Sequence, residues 1–261
     1  MASTQPTSDK GRRNTGEQAP VIRVIGLAKS YGKNAVHKDI NLMVNNGEIL
    51  TLMGGSGSGK SVLLRSLIGL EKPDRGEIYF HDQEITQLSE EDLISVRKRI
   101  AYVFQYGALF DSLTVMENLA YPLIEHTQLD EKQIRDKVLE TLKKLNLEGT
   151  HNLRPADLSG GMQRRVGVAR SIIMDPEIIL YDEPTTGLDP YNSKQIINIM
   201  VQLKNSGVTA VLVTHDMHTI FAVSDRIAFL KDGVIAVEGA AEELRTSKNP
   251  LVHGFIHGDT M

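Results

Sequence analysis

Apolar residues along this chain fall into distinct rhythms. Residues 48–53 (EILTLM) read as a strand, and the continuous runs within 178–182 (IILYD) and 208–214 (VTAVLVT) read as strands covered on both faces, which suits parallel pairing. Residues 21–27 and 39–44 read as strands of an antiparallel edge. Residues 77–80, after the Pro73-Asp74-Arg75-Gly76 turn, and residues 100–104 add two short strands. Residues 226–230 and 234–237 flank Asp232-Gly233 as a hairpin. Helical spacing takes over at 61–70, which has a wide apolar face, and again from Thr114 to about Leu145. Ser89-Glu90-Glu91-Asp92 and Thr114-Val115-Met116-Glu117 have capping-box spacing, and the first predicts a helix to about Lys98. Ser159 caps a helix running to about Met174, before Asp175-Pro176. Asp189 caps another over 190–203, with Pro190 at its first position. The order predicts an α/β fold with a parallel core, an antiparallel β edge and a helical subdomain inserted at approximately 106–175.

Composition adds limits. A chain of 261 residues buries one sizeable core, or one core with a smaller subdomain. Its 41% hydrophobic and 24% charged content is ordinary for a globular protein. A net charge of −4 argues against a general nucleic-acid binder. Without cysteine, disulfides and thiolate metal sites are excluded. No apolar run reaches the roughly 18–20 residues needed to cross a bilayer, so work at a membrane would require a partner to hold the chain there. Residues 1–20 form a polar tail expected to be disordered. Its Arg12-Arg13 pair lacks the apolar segment of a twin-arginine export signal. A domain over 21–245 and a C-terminal tail over 246–261 follow. The tail's Leu251, Val252, Phe255 and Ile256 suit packing on the same chain or on a partner.

Four motifs carry chemistry. Gly54-Gly55-Ser56-Gly57-Ser58-Gly59-Lys60-Ser61 fits the phosphate-loop pattern, and its strand–loop–helix flanks are the context that pattern needs. Glycines let backbone N–H groups approach an anion, Lys60 reaches the outer phosphates, and Ser61 offers a hydroxyl to Mg²⁺. Asp182, at a buried strand end, can hold Mg²⁺, and Glu183 can polarise the attacking water. His215 closes the next apolar run, where contact with a γ-phosphate is expected. Gln105, also at a strand end, can reach the metal or the water. Leu158-Ser159-Gly160-Gly161-Met162-Gln163 places two glycines at a helix start, a second anion-binding nest. Two nests with a single lysine loop imply that the second serves another subunit's nucleotide.

With these motifs in place, the chain resembles the ATP-binding subunits of ABC transporters over essentially all of residues 21–245. The resemblance implies ATP and Mg²⁺ as cofactors, with Ser159, Gly160 and Gly161 binding the γ-phosphate held by the opposite copy of a homodimer. It further implies that Tyr31 stacks on adenine, that Gln105 links the site to a membrane subunit, and that Asp189 lies at the dimer interface. One departure stands out: the family usually has Thr or Ser after the Mg²⁺-ligating serine, and this chain has Val62. A hydroxyl near the α-phosphate is lost while the backbone N–H remains, so ATP binding is expected to survive in weakened form.

The block Phe104-Gln105-Tyr106-Gly107-Ala108-Leu109-Phe110-Asp111-Ser112-Leu113-Thr114-Val115 is similar to ATPases that serve Mce-type lipid transporters, in particular the maintenance-of-lipid-asymmetry (Mla) system of Gram-negative bacteria. That resemblance implies permease subunits, periplasmic Mce-type lipid-binding subunits and a small STAS-domain protein as partners. It also implies phospholipid cargo and a place on the cytoplasmic face of the inner membrane. Ala108, Leu109, Phe110 and Leu113 suit a groove for a permease helix, or packing of the insert against the core. Rival readings are an importer of another small substrate, a soluble ABC ATPase acting on ribosomes or DNA, and a nucleotide-binding regulator without turnover. The single motif set and the lack of a long coiled-coil insertion weigh against ribosome- and DNA-acting members.

Overall fold

The computed structural model describes residues 19–257; most of the polar tail read from sequence, Arg12 and Arg13 included, lies outside the described residues. In chain order, β1 (Ile22–Tyr31) and β2 (Asn34–Val44) form a long hairpin, and β3 (Ile49–Met53) leads into α1 (Lys60–Ser66). Next come β4 (Arg75–Phe80), β5 (Gln83–Glu84), α2 (Glu90–Arg97) and β6 (Ile100–Val103). Three helices follow, α3 (Val115–His126), α4 (Glu131–Lys144) and α5 (Gly160–Ile172). The chain then alternates through β7 (Ile178–Asp182), α6 (Pro190–Asn205), β8 (Thr209–Val213), α7 (Met217–Val223) and the hairpin of β9 (Arg226–Lys231) with β10 (Val234–Ala240). It ends in α8 (Ala241–Arg245) and α9 (Pro250–His257).

One sheet joins these strands in the order β5-β4-β1-β2-β10-β9-β3-β8-β7-β6. From β9 to β6 all pairs are parallel, and β3 lies between β8 and β9. The edge formed by β5, β4, β1 and β2 meets β10 through a single parallel bridge, Val234 with Asp39, and β10 pairs antiparallel with β9 at the border of the parallel part. Period-two alternation divides the core. Leu50, Leu52, Leu180, Val211 and Val213 face α1 and the antiparallel edge. Ile49, Ile179, Tyr181, Ala210 and Leu212 face the helices α3, α5 and α6. Val115, Leu119, Val138, Leu142 and Val166 join that second cluster, so the inserted helices share a core with the sheet.

Several boundaries differ from the sequence reading for identifiable reasons. The first hairpin extends to Tyr31 and Asn34, past a bulge at Gly26, whose N–H is taken by the Asn41 side chain. Arg75 and Gly76, read as turn, pair as strand because Gly76 lies against the backbone of Gly26 and Leu27, where a Cβ would collide. Helix α1 stops at Ser66, not Leu70. Gly69 takes φ 66°, and Leu93 of α2 fills the space beyond it. Strand β6 ends at Val103, and the helical stretch over 114–145 divides into two helices, each opened by a full capping box, from Thr114 and from Asp130. At Ser89 the shorter Asp92 side chain accepts from the cap hydroxyl, while Ser89 Oγ accepts from Asp92 N–H. The C-terminal residues Leu251, Val252, Phe255 and Ile256 pack on their own chain, against a cluster that includes Met53, Ile220 and Phe229.

Candidate functional site

Three neighbouring parallel strands deliver the chemistry to one end of the sheet. The phosphate loop leaves β3, Asp182 ends β7, and His215 follows β8. The register sets Leu52 beside Val213 and Val213 beside Asp182. Ligands gather at the carboxyl ends of such strands. A cavity of about 660 Å³ opens there, lined by Gly54, Gly55, Ser56, Gly57, Gly59, Lys60, Ser61 and Val62 of the loop. Glu183, Val213 and His215 line it from the neighbouring strand ends, with Val36 and Phe255.

The loop's path needs its glycines. Gly59 has φ 97°, and a Cβ on it would lie 2.5 Å from Val36 Cγ1 and 2.6 Å from His37 Nε2. No side chain caps α1 at Gly59, so its first N–H groups face the loop. Lys60 Nζ donates to the carbonyls of Gly54 (2.8 Å) and Gly55 (2.9 Å). Burial lowers its pKa, opposed by the carboxylates of Glu183 and Asp182. Ser58 Oγ is buried without a protein partner, as a hydroxyl suited to an anion would be.

Beside the loop, Ser61 Oγ donates to Asp182 Oδ1 at 2.8 Å and Tyr102 OH donates to Asp182 Oδ2 at 2.7 Å. The Tyr102 phenol's pKa is pushed up, first by burial and then by that carboxylate. Glu183 adopts φ 52°, which turns its side chain toward its neighbours. Oε1 lies 3.0 Å from His215 Nδ1, and Oε2 accepts from Thr186 Oγ1 at 2.8 Å. Ser61 and Asp182 are hard oxygen donors in hydrogen-bond contact, and no cluster of three or more His, Cys, Asp or Glu that could hold a metal occurs among the described residues. That donor set fits Mg²⁺, which takes one or two protein oxygens and completes its shell with water and phosphate.

The remaining motif residues lie elsewhere. Tyr31 is exposed at the tip of β1, and Gln105 sits in the turn after β6; neither lines the cavity. Ser159 caps α5, accepting from Met162 N–H, and is exposed together with Gly160. Gly161 is buried against Asn192, whose Nδ2 donates to Asp189 Oδ2 at 2.6 Å and whose Oδ1 accepts from Arg165 at 3.0 Å. The Ser159 segment and Asp189 therefore form one stitched surface, apart from the chain's own phosphate loop.

Sequence reasoning missed four contributors. His37 is fully buried beneath the loop, with Nε2 3.0 Å from Gly59 O. Its pKa is lowered by burial, against the effect of that hydrogen bond, and its Nδ1 is buried without a partner. Tyr102, Asn192 and Phe255 are the others. For the strand residues a period-two reading combined with the register would have found them; for Asn192 the three-residue step from the Asp189 cap was the available signal.

This is the geometry of a phosphate-loop ATPase. The sequence profile described as ABC transporter matches residues 37–186, and the chain belongs to that family. It is 39% identical over 241 residues to the intermembrane phospholipid transport system ATP-binding protein MlaF of Escherichia coli K12, covering 92% of this chain and 90% of that one. It is 41% identical to the probable ribonucleotide transport ATP-binding protein mkl of Mycobacterium leprae, over 91% of this chain and 69% of that one. Among solved structures, a dimeric ATP-binding cassette in a post-hydrolysis state with ADP and Pi superposes with TM-score 0.78 at 35% identity, covering 84% of this chain and 98% of that one. The cbiO1 protein of Clostridium perfringens, part of an ABC transporter complex, superposes with TM-score 0.81 at 28% identity over 92% of this chain and 96% of that one.

Proposed function

We propose that this ATPase powers phospholipid transport between the inner and outer membranes, from the cytoplasmic face of the inner membrane, bound there through a permease. The convergence of Lys60, Ser61, Asp182, Glu183 and His215 at adjacent strand ends carries the reading of the catalytic site. The loop N–H groups and Lys60 bind the β- and γ-phosphates, with Lys60 giving up its contacts to Gly54 and Gly55 as it does so. Ser61 and Asp182 hold Mg²⁺, which when bound neutralises charge developing on the transferring phosphoryl group. Glu183 orients and polarises the attacking water, and His215, anchored on Glu183 Oε1, reaches the γ-phosphate. Gln105 joins this site on closure, Tyr31 stacks on adenine, and the Val62 N–H serves the α-phosphate in place of a lost hydroxyl.

Ser159, Gly160 and Asp189 face outward, with Gly161 buried just behind them, and this segment completes the pocket of a second copy, so the working unit is a head-to-tail homodimer. No helix among the described residues is long and apolar enough to cross a membrane, which fits work through membrane subunits. The permease contact is the groove of about 460 Å³ lined by Tyr102, Phe104, Phe110, Tyr121, Arg170 and Met174. Arg170 donates to the Gly107 and Ala108 carbonyls, and Asn118 takes the Phe110 N–H and donates to its carbonyl, which gives the groove a fixed wall. Leu109 packs on the core while Phe110 stays exposed, so the block serves packing and docking at once. Likeness to the Escherichia coli phospholipid system protein supports the cargo. Mce-type periplasmic subunits and a STAS-domain protein complete the proposed complex.

The mycobacterial relative keeps ribonucleotides or another small substrate as the rival cargo. Lipid mass spectrometry of the complex purified from detergent tests the choice. Co-purifying permease with bound phospholipid supports this reading; a soluble chain travelling with ribosomes or DNA, or a permease without lipid, removes it.

A further inference from the structure

Tyr102 occupies a position that none of the phosphate-loop chemistry requires, yet it touches both the Asp182 carboxylate and the groove. In the β6–β7 register it lies opposite Leu180, so Asp182, two residues on, projects from the same face of the sheet. A diagonal neighbour at that separation is within reach of an aromatic side chain. Its hydroxyl closes that distance and donates to Asp182 Oδ2 at 2.7 Å, while Ser61 Oγ takes Oδ1 at 2.8 Å. Two donors on the two oxygens fix the rotation of the carboxylate; removing one leaves it free to turn. The ring of the same residue lines the groove and packs on Phe104, with centroids 4.4 Å apart. The Tyr102 carbonyl also accepts from Ser171 Oγ of α5 at 3.3 Å, a further tie between the strand and the inserted helices.

We propose that Tyr102 is a positioning residue that holds the Asp182 carboxylate in its metal-binding orientation and transmits the packing of the groove to it. This rests on the reading of Ser61 and Asp182 as the Mg²⁺ site. Residues that hydrogen-bond a metal ligand from behind govern its orientation, and their loss typically costs about 10–100-fold in metal affinity or activity. Tyr102 joins the groove to the metal through one rigid side chain, separately from Gln105. Phe104 acts through Tyr102 by setting the angle of its ring.

Equilibrium binding of a fluorescent ATP analogue, with Mg²⁺ and with EDTA, tests this on the full chain without turnover. The wild-type chain binds more tightly with Mg²⁺, and Tyr102→Phe reduces that gain about tenfold while metal-free affinity stays within about twofold. Phe104→Ala lowers the gain by a smaller factor, and adds nothing in the Tyr102→Phe background, because two residues acting through one contact are not additive. Asp182→Asn separates the two levels. If it abolishes the Mg²⁺ gain while Tyr102→Phe leaves the gain intact, or lowers both affinities equally, the role of Tyr102 is overturned. If Asp182→Asn itself keeps the full gain, the metal site lies elsewhere. Additive effects of Phe104→Ala and Tyr102→Phe would overturn the link to the groove.

Discussion

The phosphate-loop end of the sheet and the Ser159 surface are built in opposite ways. At the first, side chains are folded inward and satisfied by each other: Lys60 on loop carbonyls, Ser61 and Tyr102 on Asp182, His215 on Glu183. At the second, Ser159 and Gly160 are presented outward, and the polar stitching of Asp189, Asn192 and Arg165 lies behind them. One region is organised to hold a ligand within the chain; the other holds its backbone rigid for something outside it. In the proposed pair of chains the two regions meet, with Ser159 and Gly160 of one copy facing the phosphates held by the loop of the other.

Perturbing the two regions should therefore fail in different ways. The largest effect is expected from Lys60→Ala, which removes the cation for the outer phosphates; nucleotide affinity should fall at least about 100-fold in calorimetric titration. Unchanged affinity would remove the phosphate-loop assignment. Glu183→Gln should keep ATP binding while turnover drops about 10²–10³-fold, within the usual span for a lost general base. Size-exclusion chromatography with ATP should then show an accumulated dimer. Gly161→Ala strikes the other region. Its Cβ would overlap Asn192, which Asp189 and Arg165 pin in place, so turnover should drop about tenfold or more while the affinity of one chain for ATP stays unchanged. Loss of single-chain affinity in that variant would erase the distinction between the regions.

The smallest expected effect concerns His37. Its folded-state pKa is depressed by burial, so as pH falls below about 6.5 the unfolded chain takes up a proton that the folded chain resists. Stability is then full above that pH and declines on acidification, by at most about 1.4 kcal/mol per pH unit for one proton. Thermal melts of His37→Leu should lack that part of the slope between pH 7 and 5. An identical slope in both proteins would rule out His37 as a source.

How much was legible in the sequence follows the same division. The loop, its strand and the ends of β7 and β8 were readable because their signals are local: a glycine pattern, and apolar runs whose last residues are Asp182 and Thr214. Thr114 announced its helix through a reciprocal cap with Glu117, whereas the equivalent cap of Asp130 with Gln133 was not read. Helices α7 and α8 were not, since seven and five residues are too short for a period to emerge. His37 and Tyr102 were hidden for another reason. A polar residue within a strand acquires meaning only when pairing decides which strand lies beside it, and that depends on contacts distant in sequence. The tail's choice between its own chain and a partner likewise rested on Phe229, with which Phe255 makes an edge-on ring contact.

The most direct test of a site divided between two copies is ATPase activity per chain measured across dilution, with the association state followed by analytical ultracentrifugation. A divided site predicts that specific activity falls in step with the dimer population and vanishes among monomers. Full specific activity in a preparation that sediments only as monomer would contradict it.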